Sequence, residues 1–304
     1  MLIKRYDKSK TIKAKQFIPY YMNIELPLVS VVIITYNSEK TILETLESIK
    51  NQTYKNLELI ISDDCSIDNT VEICKQWLET NDDLFKRTEL VESTQNTGVA
   101  PNLNRGIKRS KGEWIKSLAG DDTLISASIE KFVSFVREND CQICVSDLNL
   151  FSEENLDLRQ MRLTYNLYQD YMKEDLDKQL NRIYKEYTIP GPGFFYSRSL
   201  YNLVGGFDEK YPFCEEWPFA YKVLKNGYRF YPCSDKLVNY RISTSSLCRE
   251  KNKNLVNHKL YLSIKNFYFD YLQKELIKKG LILNVIKRII LYKINDAKYK
   301  NESK

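Results

Sequence analysis

The sequence predicts an α/β fold in which a doubly wound, mostly parallel sheet is flanked by helices, and three observations carry that expectation. Residues 28–35, LVSVVIIT, form an unbroken, largely β-branched run, the composition of a strand buried on both faces. Helical spacing follows at once, and the strand-then-helix alternation recurs four times within about 100 residues. Polar and acidic residues stand where three of these strands end, which is where a doubly wound sheet holds its ligand.

Each element has its own signal. After the first strand, Ile42, Leu43, Leu46 and Ile49 recur at helical spacing from a start at Ser38. LELIIS at 57–62 is the next strand, and Val71, Cys74, Trp77 and Leu78 mark one face of the helix after it. TELVES at 88–93, a helix over 98–109 and the strand EWIKSLA at 113–119 complete the alternation. CQICVSD reads as a further strand; no second pair joins Cys141 and Cys144 to make four zinc ligands, so both are expected in the core. Residues 152–188 are Tyr-rich and charged, with Met161, Leu163, Leu167, Tyr168 and Met172 suggesting helix. Pro and Gly then punctuate IPGPGFFYSRSLYNLVGGFDE into a loop, a short strand and a turn. Ala220, Val223 and Leu224 predict a helix capped by Gly227, with Glu215 and Glu216 at its start and a strand at 228–231.

The 304 residues suffice for one large domain with an appendage: a basic extension at 1–24, a central domain at 25–248 and a basic tail at 249–304. Residues 1–24 carry six basic and one acidic residue and residues 251–304 thirteen and four, so the net charge of +6 leaves the stretch between at −8. An acidic middle argues against a nucleic-acid binder, which spreads Lys and Arg over the face that grips phosphates. No apolar run approaches the roughly 20 residues of a membrane-spanning helix, and the amino terminus lacks the apolar block of a signal peptide, so the cytoplasm is the expected location. Seven scattered cysteines suit reduced thiols there.

The strand ends read Thr35-Tyr36-Asn37, Ser62-Asp63-Asp64 and Gly120-Asp121-Asp122. The first strand is not followed by G-x-G-x-x-G, and no P-loop pattern occurs. Phosphates bound here would need another counter-charge, and a divalent metal on a carboxylate is the usual one.

Taken in order, VSVVIITYNSEKTILETLESIKNQTYKNLELIISDDCSIDNT, the GDD at 120–122, and GGFDE followed by EEW resemble the family 2 glycosyltransferases with the GT-A fold, over roughly residues 28–245. The resemblance implies inverting transfer of a sugar from a nucleotide diphosphate donor, most often a uridine diphosphate sugar, to an acceptor hydroxyl, helped by Mg²⁺ or Mn²⁺. By position it implies that Thr35, Tyr36 and Glu39 contact the donor base and ribose, and that Asp63 and Asp64 form the acidic pair that reaches uracil and its ribose. Strand-end packing is the alternative for Thr35 and Tyr36, and helix capping near Ile67 for the aspartates. The resemblance also gives Asp122 to the metal, with Asp121 holding donor and metal beside it; Ala119 stands where the commoner D-x-D-D pattern has its first aspartate. Glu216 aligns with the general base, an aspartate in the family's E-D pair, and one extra methylene leaves the chemistry open to it; a solvated acidic helix start is the alternative. In VNYRISTSS, Arg241 matches the arginine near the diphosphate, while Ser243 replaces the expected histidine. The only histidine, His258, lies outside the motifs.

Beyond residue 250 the resemblance ends. Ile282, Val285, Ile286, Ile289 and Ile290 make an apolar stripe at helical spacing with Lys287 and Arg288 opposite. Such a helix suits an anionic membrane surface, or else packs on the domain or on a second subunit in a homodimer. Membrane contact would suit a lipid-linked saccharide acceptor at the inner face of the cell membrane, in cell-surface polysaccharide assembly. Two other readings stand beside the transferase: a nucleotidyltransferase, for which TYNSEKT lacks the glycines of a phosphate loop, and a non-catalytic nucleotide-binding scaffold, suggested by Ala119, Glu216 and Ser243.

Overall fold

The computed structural model describes residues 26–154, 156–186, 189–243 and 257–302. The basic extension at 1–24 lies outside them. In chain order the elements are β1 (Val29–Thr35), α1 (Ile42–Lys50), β2 (Leu57–Asp63), α2 (Thr70–Asn81), β3 (Arg87–Glu92), α3 (Val99–Arg109), β4 (Trp114–Ala119), β5 (Thr123–Leu124) and α4 (Ser128–Glu138). There follow β6 (Ile143–Phe151), α5 (Arg159–Met172), α6 (Leu176–Ile183), β7 (Phe194–Ser197), α7 (Arg198–Leu203), α8 (Glu216–Lys225) and β8 (Tyr231–Arg241). The chain closes with α9 (His258–Phe267), a π-helical turn over 268–272, α10 (Gln273–Lys278) and α11 (Ile282–Glu302).

One eight-stranded sheet runs in the order β3-β2-β1-β4-β7-β6-β8-β5. Its first four strands are parallel, as the alternation predicts. The expectation of a mostly parallel sheet needs correction beyond β4: β7 is antiparallel to both β4 and β6, and β5 to β8, so the sheet is mixed. The strand expected at 228–231 also shifts, beginning at Tyr231 and pairing along β6 as far as Arg241.

The register positions the site. Thr35 lies opposite Asp63, and Ile34 opposite Ala119, so the three polar strand ends stand side by side. Helix α3 lies directly on this half of the sheet because Gly106 gives it room: a Cβ there would sit 2.6 Å from Val32 Cγ1. Gly227, at φ +87°, ends α8 in the left-handed conformation that costs glycine little. Cys141 and Cys144 are buried at the start of β6, where burial pushes the Cys141 thiol up to about 11.

The tail packs on the domain. Phe267 of α9 meets Tyr211, Trp217 and Tyr221 edge-on at ring separations of 5.3 to 5.8 Å, joining the cluster that lies over the sheet. The apolar stripe expected over 282–290 is divided between two faces. Val285 turns inward with Tyr292 and Tyr299, spaced by sevens, whereas Ile282, Ile286 and Ile290 face out. Arg288 is not on the outward side with Lys287; it lies over the Tyr268 ring and bonds the Lys185 carbonyl. No helix among the described residues is long and apolar enough to cross a membrane.

Candidate active site

The loops after β1 and β2 interlock. Asn37 and Cys65 both take positive φ, +52° and +70°, so each chain turns sharply at its strand end. The Asn37 amide donates to Ser66 Oγ (2.8 Å), and the Ile67 amide returns a bond to Asn37 Oδ1 (2.9 Å). Glu39 accepts from the amide and side chain of Asn69 at 3.1 and 3.0 Å. Buried Thr35 donates through Oγ1 to Asp63 Oδ1 (2.7 Å), and Asp63 Oδ2 takes the Ser66 amide (2.8 Å). Tyr36 is half-exposed at the end of β1, while Thr35 and Asp63 beside it are buried.

Asp64 differs from its neighbour. Its Oδ1 accepts from Thr97 Oγ1 (2.6 Å) and Arg105 Nη2 (2.9 Å), and its Oδ2 from the amides of Thr97 (2.8 Å) and Gly98 (2.7 Å). Four donors fill the roughly four acceptor positions of a carboxylate. Arg105 also reaches the Asp63 carbonyl, Ser62 and Asn102, so α3 is tied to the end of β2 through one part-buried ion pair and these bonds.

The Gly120-Asp121-Asp122 turn is held from three sides. Thr41 Oγ1 donates to the Gly120 carbonyl and Thr45 Oγ1 to the Asp122 carbonyl, each at 2.8 Å. The Arg241 amide donates to Asp122 Oδ1 and its Nε to the Asp121 carbonyl, each at 2.9 Å. The rest of the Arg241 guanidinium pairs with Glu44 and Glu153 and lies 4.7 Å from the Phe151 ring, so it is largely engaged beneath the turn. Burial holds both aspartate carboxyls above the ordinary range, and the charge of Asp121 adds to the effect at Asp122. Among the described residues no group of three or more His, Cys, Asp or Glu forms a cage for a metal ion.

Glu216 approaches from the other side. Ser197 pairs with Trp114 and Tyr196 with Ile115 in antiparallel register, so counting back along β7 sets Gly191-Pro192-Gly193 beside the end of β4. The Glu216 carboxylate lies directly on Gly191: a Cβ there would be 1.9 Å from Glu216 Oε1. Gly193 is equally confined, its missing Cβ falling 2.5 Å from the Ser146 carbonyl. The turn is anchored by Lys116, fully buried in mid-β4, whose Nζ donates to the carbonyls of Pro192 (2.6 Å), Ser117 (2.9 Å) and Phe194 (3.2 Å). Burial lowers this ammonium to about 7, against the opposing pull of Asp122. Burial also lifts the Glu215 carboxyl to about 7. On α5, burial raises the Tyr168 phenol, with smaller contributions from the charges of Glu186, Tyr171 and Glu216.

The structure thus gathers Thr35, Tyr36, Glu39, Asp63, Asp64, Asp121, Asp122 and Arg241 at one end of the sheet, with Glu216 beside them across the 191–193 turn. His258 is elsewhere, against Tyr261 and Tyr299. Thr97, Asn102, Arg105, Lys116 and Gly191 were not singled out from sequence. Two signals were present: a lone lysine inside the buried strand WIKSLA, and Asn102 with Arg105 three positions apart on a helix that must face the sheet.

Comparison with known proteins gives the family and the fold. The model of glycosyl transferase family 2 matches residues 30–205, and the chain belongs to that family. It is therefore a glycosyltransferase. An uncharacterized glycosyltransferase of Haemophilus influenzae is 27% identical over 283 residues, 91% of this chain and 83% of that protein. TuaG of Bacillus subtilis is 26% identical over 235 residues, 75% of this chain and 84% of that protein. The match to EpsE of Bacillus subtilis, 38% over 113 residues, spans only 37% of this chain and 40% of the relative. Among solved structures, TarS 1-349 of S. aureus with UDP-GlcNAc aligns at TM-score 0.60 and 21% identity, covering 82% of this chain and 66% of that one. The mannosyltransferase PcManGT of Pyrobaculum calidifontis, with GDP-Man and Mn²⁺, aligns at 0.58 and 20%, covering 83% and 64%. At these identities the two structures bear on the fold alone.

Proposed function

We propose that the protein transfers a sugar with inversion from a nucleotide diphosphate donor, a uridine diphosphate sugar, to a hydroxyl of a saccharide or lipid-linked saccharide acceptor. The observation that carries the reading is the Glu216 carboxylate seated on Gly191 beside the strand end that bears Asp121 and Asp122. That supports reading Glu216 as a proton acceptor facing the diphosphate, as an inverting displacement requires. The acceptor oxygen attacks the anomeric carbon, its proton passes to Glu216, and the bond from that carbon to the diphosphate oxygen breaks with its electrons leaving on the diphosphate. Asp63 keeps an acceptor position on Oδ2 for the base or ribose, Tyr36 offers its ring, and Thr35 and Glu39 hold the loops that present them. Asp64 and Arg241 act from beneath, fixing the strand end and the acidic turn.

A divalent metal fits Asp121 and Asp122. Mg²⁺ and its relatives commonly take one or two protein carboxylates and complete their shell with phosphate oxygens, so a two-carboxylate set suffices when the donor is bound. When bound, Mg²⁺ or Mn²⁺ would neutralise charge on the departing diphosphate. Support for the product class comes from a relative: TuaG is named as a teichuronic acid biosynthesis glycosyltransferase. By analogy the product belongs to a cell-surface polysaccharide built from the cytoplasmic side.

The test is sugar release from a panel of UDP-, GDP- and dTDP-sugars by purified protein, with Mn²⁺ and with chelator. Mn²⁺-dependent hydrolysis or transfer from one donor class is the expected result. Nucleotide binding without turnover under any condition would favour the scaffold reading instead.

A further inference from the structure

We infer that the outward face of α11 is a docking surface for an anionic lipid membrane, a conclusion that stands on the helix alone and does not depend on which sugar is transferred. The helix has two different sides. Val285, Tyr292 and Tyr299 are buried against the domain, and Asp296, the one carboxylate in its middle, turns inward to Tyr261 and Lys265. Ile282, Leu283, Ile286, Ile290, Leu291 and Ile294 lie on the opposite side, each between 47% and 72% exposed. At about 100° per residue, Leu283, Ile286, Ile290 and Ile294 fall within one stripe about 80° wide. Lys293 borders one edge of that stripe and Lys287 with Lys298 the other, and all three are exposed. Just before it, Ile277, Lys278 and Lys279 are exposed as well.

Charge decides among the occupants. A second copy docked face to face would set lysine rows against lysine rows, since the stripe is bordered by cations on both edges. The segments outside the described residues are a poor cover for the same reason: residues 1–24 carry six basic residues to one acidic, and residues 244–256 three to one. An anionic bilayer answers both parts of the pattern. Its interface takes the apolar side chains, while the lysine stems reach outward to the lipid phosphates. The 21-residue helix, about 30 Å long, would lie flat rather than span.

The experiment uses the full chain and vesicles of phosphatidylcholine with and without phosphatidylglycerol, read by co-sedimentation. Binding is expected to the anionic vesicles only, and to weaken as salt is raised from about 0.1 M to about 1 M, where the screening length falls from about 10 Å to about 3 Å. Lys287→Glu, Lys293→Glu and Lys298→Glu together should reduce it more than about 100-fold, at about fivefold for each cation lost. Ile286→Ser with Ile290→Ser should abolish it, with circular dichroism and donor-induced thermal shift unchanged because neither side chain enters the core. No binding to anionic vesicles, equal binding to neutral ones, or variants that bind like the parent would overturn the inference. So would a dimer in sedimentation velocity that Ile286→Ser with Ile290→Ser dissolves in the absence of vesicle binding.

Discussion

A methyl group on Gly191 tests the position of the base. The added Cβ would lie 1.9 Å from Glu216 Oε1, 2.3 Å from Cδ and 2.5 Å from Cγ, whereas ordinary contact begins near 3.4 Å. The carboxylate must therefore withdraw by about 1.5 Å. Gly191 is not among the residues of positive φ, so alanine brings no backbone strain of its own. Because Cγ as well as the carboxylate is too close, the whole Glu216 side chain must turn away, and holding it off a preferred rotamer costs about 0.5 to 1.5 kcal/mol. The kinetic loss is larger. Misplacement of a reacting group by about 1 Å can cost about 100-fold, so Gly191→Ala should lower kcat by at least that factor, near 3 kcal/mol of barrier. Donor KM should change little, because the base acts on the acceptor. Initial rates against donor and acceptor concentration would measure both, and a double-mutant cycle adds the decisive comparison. Glu216→Gln alone should cost about 10² to 10⁴ in turnover, and Gly191→Ala added to it almost nothing more, since the group it displaces is already disabled. Glu215→Gln should cost much less. Near wild-type turnover in Gly191→Ala, or full additivity with Glu216→Gln, would refute the placement.

Asp64→Ala should destabilise the nucleotide-free protein by at least about 2 kcal/mol in urea unfolding, because the Thr97 and Gly98 amides lose their acceptor and Arg105 its carboxylate; a change under about 1 kcal/mol would mean that Asp64 works for the ligand instead. Glu215, lifted by burial from 4.5 to about 7, keeps a proton in the folded protein that the unfolded chain releases. Its contribution is therefore full below about pH 4.5 and lost as pH rises to about 7, with a slope of at most about 1.4 kcal/mol per unit, which screening at its part-open surface reduces. Glu215→Gln should flatten the stability profile across that window, and coincident profiles would reject the assignment. Asp122→Asn should remove the Mn²⁺-dependent part of donor binding in a thermal-shift titration while the protein stays folded; retained metal dependence would move the metal elsewhere.

The half of the molecule that reads clearly from sequence is the half built from parallel strands. LVSVVIIT, LELIIS and EWIKSLA are buried on both faces, so composition alone marks them, and the register then brings their polar ends together. Past β4 the signal weakens for physical reasons. β7 is four residues long, FFYS, and nothing in its composition encodes its direction. β8 contains Ser234, Asp235 and Lys236, all exposed, which interrupt the apolar pattern and conceal the longest strand in the sheet. In the tail, the isoleucines at 282–290 suggest one stripe, but the tyrosines at 292 and 299 decide which side is buried. Aromatic size outweighs aliphatic spacing there. The partners of Glu216 were hidden for another reason: Gly191 contributes by having no side chain, and Lys116 by bonding three carbonyls that no sequence motif displays.

The two ends of the candidate site differ in what they have left to offer a ligand. Asp64 is saturated by its own chain, and Asp63 nearly so, before any nucleotide arrives. Their loops are therefore set in advance, and in the proposed donor site Tyr36 and the remaining acceptor position of Asp63 are the groups left to meet a base. The acidic turn is the reverse case. Asp121 and Asp122 are packed together and desolvated; among the described residues Arg241 offsets this at both and Lys116 at Asp122, and burial still favours their neutral forms. An arriving cation with its diphosphate would relieve that cost, which concentrates the gain in electrostatic free energy at the end of β4. Glu216 lies next to that same strand end, on a turn whose position depends on Lys116 in the same strand. On the proposed assignments, charge placed on the acidic turn would act within a few residues of the Lys116 anchor, and β4 would be the element that donor binding and acceptor activation share.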